Sequence, residues 1–433
     1  MEVVRKVSLI SLSVFLFLIP FAFKTANLCL FIFIAGTLLD SELYKKYSFR
    51  EFGKAGKCFV FFSSAYCLWC FISLLWSDDL DRGLLLAGRY ILIIIFPFFL
   101  LSAKTIGVLK NIKLLVCFFI GGVLLSSFVC LYLSYLNCWH EVSDVKVFNF
   151  DYYNRPISFV ETISSGTCCF SYSFLSHFIH PAYYTLYFVF ILIVLFDTLF
   201  KDNNHKMKVP IIISIVYSFV FIFFLQSRAG LLVLMVTLIL CIAYYAFMKK
   251  QLKIFFIGFI IIIVLLSLIV PHTRFYGLFE GVKKSLDMGE NQEYARNYKE
   301  TENLRILIWK NSFSVIKHYP ILGVGIGDTD LMLEAENKKH NFTEYELGTH
   351  NQYLYAQLSM GIVSLLLLLA ILFVPLYYGI KNRYFPLIGF SLAVIINLLF
   401  ENMLTRNAGL MFIPWAMTVL LMMSEEKKKV LEK

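Results

Sequence analysis

Residues 351–380 read NQYLYAQLSMGIVSLLLLLAILFVPLYYGI, a stretch without a single Asp, Glu, Lys or Arg. About 20 apolar residues in a helix suffice to cross the ~30 Å hydrocarbon core of a bilayer, so the run is too long and too uncharged for a core helix of a soluble domain. Working outward, comparable apolar runs lie at 7–23, 26–39, 58–76, 84–101, 114–136, 181–200, 209–225, 230–247, 254–270, 384–400 and 408–423. Together they predict an all-α integral membrane protein of about twelve transmembrane helices. The second run is short, so a re-entrant segment is its alternative. Arg5 and Lys6 before the first run resemble a signal peptide, but no small-residue cleavage site follows, and the run is read as a signal anchor.

Composition agrees. Of 433 residues 59% are hydrophobic and 16% charged, against about 45–50% and about 25% in soluble domains, and mean hydropathy is +0.74. A disordered chain, a secreted disulfide scaffold and a soluble enzyme on one anchor are excluded. The net charge of +10 is topological. With the N-terminus in the cytoplasm, 22 of the 39 Lys and Arg fall on inside segments, including Lys45, Lys46, Lys249, Lys250 and the Lys427–Lys429 run. The short outside turns carry few cations, and one of them is acidic (Asp78, Asp79, Asp81). The positive-inside rule then puts both termini in the cytoplasm, and nucleic acid is not needed to explain the charge.

This topology divides the chain into nine helices over 1–270 with an outside loop at about 137–180, a large outside loop at 271–350, three helices over 351–424, and a basic cytoplasmic tail at 425–433. The large loop, between the ninth and tenth helices, is expected to be partly helical. An amphipathic run covers Arg274 to Met288. A helix is predicted from Thr301 to His318, where Leu304, Ile308, Phe313 and Val315 interleave with charges. Tyr319-Pro320 ends it, and the glycine-punctuated PILGVGIGD follows.

Ionisable residues at or inside a span need a reason. A lone Arg such as Arg228, in LQSRAG, ordinarily snorkels to the interface. Arg89, about a turn and a half inside its helix, would ordinarily pair with an Asp of the 78–81 turn. His180, opening HPAYY, would be a satisfied interfacial histidine, and Glu401 a helix terminator. Their shared side is what the ordinary readings leave unexplained. Arg228, His180, Glu401 and Arg89 all fall at outside ends of helices, where the loop carrying Arg305 and His350 also hangs. Arg clamps phosphate oxygens through two donors at once, and a neighbouring histidine serves as a base near neutral pH. The chemistry suggested is group transfer involving a lipid-linked phosphate or pyrophosphate.

Other motifs carry less. GVGIG lacks the strand–helix setting and the Lys-Ser/Thr of a phosphate loop, so it is read as a turn needing backbone freedom. His318, His340 and His350 do not have metal-ligand spacing, and no metal is expected. Asn341-Phe342-Thr343 is a glycosylation pattern common by chance. The CLWC pair lies mid-span as apolar filler. Cys138, Cys168 and Cys169 fall at an outside loop, where a bridge from Cys138 to Cys168 or Cys169 is expected.

Taken together, Arg305 with Trp309, Pro320, the turn Gly323 to Gly327, and His350-Asn351 with Leu354 and Gly361 entering a span resemble the loop signature of the O-antigen ligase and O-antigen polymerase superfamily. LWSDDLDRG and SRAG are similar to it as well. The resemblance implies a bacterial inner-membrane glycosyltransferase, without metal or other cofactor, acting on the periplasmic face. In its ligases a glycan leaves an undecaprenyl-pyrophosphate carrier for a sugar hydroxyl of lipid A-core. Carried over, His350 would be the base, and Arg228 and Arg305 would hold the pyrophosphate. Arg89, His180 and Glu401 are added from position, and Asn351 and Gly325 from the motif, as substrate-binding residues. The stretch between Gly327 and His350 departs from the family in its charge (Glu334, Glu336, Lys338, Lys339). A polymerase joining lipid-linked repeat units is the alternative within the superfamily. A polytopic transporter is the distant one, disfavoured because neither interrupted helices nor repeat symmetry is evident.

Overall fold

The structure, a computed structural model, describes residues 2–40, 53–102, 111–201, 205–248, 301–339 and 348–431, with a few positions between 250 and 260. The expected run at 254–270 and the amphipathic run from Arg274 lie almost wholly outside the described residues, as does the Asn341-Phe342-Thr343 pattern. The protein is an all-α integral membrane protein. Among the described residues eight helices are long and apolar enough to cross a membrane, and two shorter apolar ones, Phe23–Leu39 and Phe385–Asn397, accompany them. The 26–39 run is thus part of a 17-residue helix.

In chain order the helices are α1 (Glu2–Leu18), α2 (Phe23–Leu39), α3 (Lys54–Ile72), α4 (Leu80–Tyr90), α5 (Leu92–Ser102), α6 (Ile112–Asn137), α7 (Phe159–Ser165), α8 (Tyr172–Leu175), α9 (Pro181–Lys201), α10 (His205–Leu225), α11 (Arg228–Met248), α12 (Thr301–His318), α13 (Thr329–Lys339), α14 (Gln352–Lys381), α15 (Phe385–Asn397) and α16 (Asn407–Leu431). The strands β1 (Trp139–Val142) and β2 (Val145–Phe148) form one antiparallel hairpin between α6 and α7.

The chain separates into two compact units. One comprises Met1–Arg5, Gly36–Lys110 and Leu278–Lys433, the other Lys6–Ala35 and Asn111–Gly277. In the first, α14 packs along α3 and α15, and α16 along α5. Arg5 forms an ion pair with the buried Asp40 at 2.6 Å, so this cation is partly neutralised. In the second unit α9 is the central helix, packed by α10 and α11 and buried from Pro181 to Ile193. Gly122 of α6 lies against the backbone of Phe17 in α1, an approach closed to any larger residue.

The loop between α6 and α9 is ordered by local polar contacts. Ser158 and Glu161 form a capping box at the start of α7. Buried Asp151 accepts from Arg155 Nε at 3.0 Å and from the Arg155 amide at 2.8 Å. The guanidinium holds its carboxyl down at about 2. The disulfide expected here is not formed. Cys138, Cys168 and Cys169 are free, fully buried thiols, and the Cys138 and Cys169 side chains share a hydrogen bond. Burial pushes the Cys168 thiol up to about 11 and raises Cys138 and Cys169, keeping all three in the protonated form that does not attack a disulfide.

Candidate functional site

The glycine turn has a structural task that neither motif reading anticipated. Helix α14 is interrupted at Gly361, whose φ of 70° and ψ of −168° are accessible to glycine alone. The break frees carbonyls that would otherwise accept helical hydrogen bonds. The turn after α12 supplies the donors. Val324 N–H donates to Leu358 O at 3.0 Å and Gly325 N–H to Ser359 O at 2.9 Å, while Trp69 Nε1 donates to Met360 O at 2.8 Å. Pro320 O in return accepts from Ile362 N–H and from the Gln357 amide. Gly323, at φ 72°, faces the backbone of Met360 with 2.6 Å left for a Cβ. The expectation that no helix is interrupted is therefore corrected. In transporters such breaks line ion sites, whereas these carbonyls are taken up by the chain's own turn and indole.

A second joint ties the motif after α3 to the end of the glycine turn. Asp328 accepts from Asp78 N–H at 2.7 Å, Asp79 N–H at 2.9 Å and Ser77 Oγ at 3.0 Å, and Gly327 N–H donates to Ser77 Oγ. Asp79 caps α4 by accepting from Arg82 N–H, and Arg82 pairs with Asp330. A small core of Ile308, Val315, Val324, Leu333 and Leu358 holds α12, the turn, α13 and α14 together. On α12 the inward face is Ile308, Asn311, Ser312 and Val315, so Phe313, read from sequence as part of the apolar face, is exposed. The charges after Gly327 sit on α13, where Lys338 pairs with Glu334 and Lys339 with Glu336.

On this frame three of the expected site residues come together. The Arg305 guanidinium, one turn into α12, lies 3.3 Å from Glu401 Oε1, and His350 Nδ1 lies 3.4 Å from Glu401 Oε2. A carboxylate only accepts, so Nδ1 carries the proton and Nε2 is the ring nitrogen able to take one. His350 itself holds a φ of 45°, a left-handed conformation that costs a non-glycine residue of order 1–3 kcal/mol and that clusters at functional sites. Its neighbours hold it there. Thr349 O accepts from Trp309 Nε1 at 2.9 Å, Thr349 Oγ1 donates to Asn402 Oδ1 at 3.0 Å, and Asn351 caps α14 by accepting from Tyr353 and Leu354 N–H. Gln352 locks the Glu401 side, accepting from Leu404 N–H and donating its own N–H to Leu398 O.

The other expected residues are placed differently. Arg89 does not pair with the acidic turn, whose carboxylate Asp79 is used as a helix cap. It donates to Thr405 O at 3.4 Å, beside the segment that carries Glu401. Gly325 is buried with its amide committed to Ser359, and Asn351 is a helix cap, so both support the site rather than reach into it. Arg228 and His180 belong to the other unit. Arg228 opens α11 behind Ser227, whose Oγ accepts from Gly230 N–H. His180 opens α9, where its Nδ1 accepts from Ala182 N–H and its ring meets Tyr172 and Tyr183. Sequence reading missed Asp328, Ser77, Trp309 as a backbone anchor, and Gln352. GD, closing the glycine turn, and SDD were the visible trace of the first two. Among the described residues no group of three or more His, Cys, Asp and Glu is gathered as in a metal centre.

Residues 213–369 match the family model described as O-antigen ligase. Over that stretch the chain is similar to the O-antigen ligase family. The match runs from α10 into α14 and so includes Arg228, Arg305, the glycine turn and His350, but stops short of Glu401. An uncharacterised protein of Haemophilus influenzae is similar at 27% identity over 151 residues, 33% of this chain and 36% of that protein. The chain thus matches only about a third of that relative's length.

Proposed function

We propose that this protein is a member of the O-antigen ligase superfamily, a membrane glycosyltransferase that moves a glycan from an undecaprenyl-pyrophosphate carrier to a sugar hydroxyl of lipid A-core. The observation that carries the reading is the placement of Glu401 between Arg305 and His350. His350 Nε2 takes the acceptor hydroxyl proton as the new glycosidic bond forms and the sugar–phosphate bond breaks, releasing undecaprenyl pyrophosphate. Glu401 fixes the tautomer and faces the charge that develops on the ring, the role a carboxylate plays behind a catalytic histidine. Arg305 binds the pyrophosphate through the donors that Glu401 does not use, and Arg228 supplies a second guanidinium. Charge on the leaving group is met by preorganised cations, the contribution that is usually largest. In this proposal the protein lies in the bacterial inner membrane, with both termini cytoplasmic and the site periplasmic.

The test is purified protein in lipid with an undecaprenyl-pyrophosphate-linked glycan and, in parallel, lipid A-core or a second lipid-linked repeat unit as acceptor. Transfer to lipid A-core that disappears in His350→Ala is the expected result. Transfer only to the lipid-linked repeat would make the protein a polymerase, and unchanged turnover of His350→Ala would remove the base assignment.

A further inference from the structure

We propose that the β1–β2 hairpin is seated in the membrane–water interface and binds lipid. Its composition is wrong for a hairpin surrounded by water. Trp139, Val142, Val145, Val147 and Phe148 are all exposed, Val145 at the tip by 61% and Trp139 by 43%. Two isolated strands are at best marginally stable in water, and exposed apolar patches of this kind mark an interaction surface.

Lipid is the occupant that fits, because the patch continues a lipid-facing stripe. On α6 the exposed residues Leu114, Phe118, Leu125, Phe128, Tyr132, Tyr135 and Leu136 recur at helical spacing along one face. α6 has 26 residues, about 39 Å of helix, so its end projects beyond the ~30 Å hydrocarbon core into the headgroup layer. Only Cys138 separates that end from Trp139. The Tyr135 ring packs on both Trp139 and Phe148, and those two rings on each other as a cross-strand pair. Trp and Tyr concentrate at this depth. The one charged cross-strand pair, Glu141 opposite Lys146, matches a zwitterionic headgroup in carrying both signs. The turn Ser143-Asp144 has positive φ at both positions, the geometry that matches the twist of a two-residue hairpin, so the tip is a defined wedge presenting valines. A glycan-binding surface would pair its aromatic rings with hydrogen-bonding side chains, and the three valines argue against it.

The experiment uses the full chain reconstituted in phosphatidylcholine vesicles whose acyl chains are brominated near the headgroup. Wild type is compared with Trp139→Phe, which keeps a ring in the cross-strand pair, and with Trp139→Phe/Val145→Trp, which moves the reporter to the tip. The emission difference isolates each position. The expected result is loss of most of that emission in shallow-brominated lipid, with little quenching by aqueous iodide. Quenching by iodide and not by bromine would overturn the proposal. So would protection from both, which would mean that protein covers the hairpin.

Discussion

His350 Nδ1 faces Glu401 Oε2 at 3.4 Å, while the other oxygen of the same carboxylate meets Arg305. One side chain thus holds both the candidate base and a candidate phosphate clamp. Replacing it should therefore disturb both functions, whereas replacing either partner should disturb one.

Glu401→Gln is expected to insert and fold normally and to slow transfer, because an amide does not hold the imidazole and the guanidinium as a carboxylate does. His350→Ala should cost more, within the range of about 10²–10⁴ that general base catalysis supplies. Steady-state kcat and KM of the two variants check this. A kcat for Glu401→Gln equal to wild type would remove the orienting role.

Arg305→Lys and Arg228→Lys are each expected to lose most activity with the fold intact, since a point charge does not replace a planar fork. Donor binding, measured directly with the lipid-linked pyrophosphate, should weaken in both. Retained binding in Arg228→Lys would reduce that residue to a snorkelling interfacial cation.

Gly361→Ala is expected to destabilise strongly. A Cβ there overlaps the Ile321 carbonyl, and the backbone conformation excludes side chains, at a cost of order 1–3 kcal/mol before the clash is counted. Gly88→Ala is the control, since nothing lies within 4 Å of its Cβ position. Thermal unfolding in detergent should separate the two.

Asp328→Asn should lower stability by roughly 1–3 kcal/mol, because an amide has one acceptor oxygen where the carboxylate serves two backbone N–H groups and a hydroxyl. Asp328→Ala should lower it further. An unfolding midpoint equal to wild type would show that water takes over these donors.

Acid should loosen the α6–α9 loop in a defined window. Asp151 is lowered from 3.8 to about 2 by Arg155, so its stabilising contribution is complete above about pH 4 and lost as pH falls through about 2. Hydrogen exchange of the loop amides should rise over that interval in wild type. In Asp151→Asn exchange should be fast already at neutral pH and change little with acid.

Apolar runs of about 20 residues were enough to establish a multi-span membrane protein, because the bilayer constrains length locally along the chain. The bounds of α12, Thr301–His318, were legible for the same reason, from a periodic face and a terminating proline. Arg305 and His350 were legible as chemistry-bearing types near one face. Their connection through Glu401, 51 positions from His350, was not legible, because it depends on how α12, α14 and the segment after α15 pack. The same holds for the glycine turn. Its glycines were visible, but their partners, the carbonyls of a broken α14, exist only once that helix is interrupted beside it. Local physics decided what each segment is. Long-range packing alone decided which backbone groups were left to satisfy and which side chains met to satisfy them.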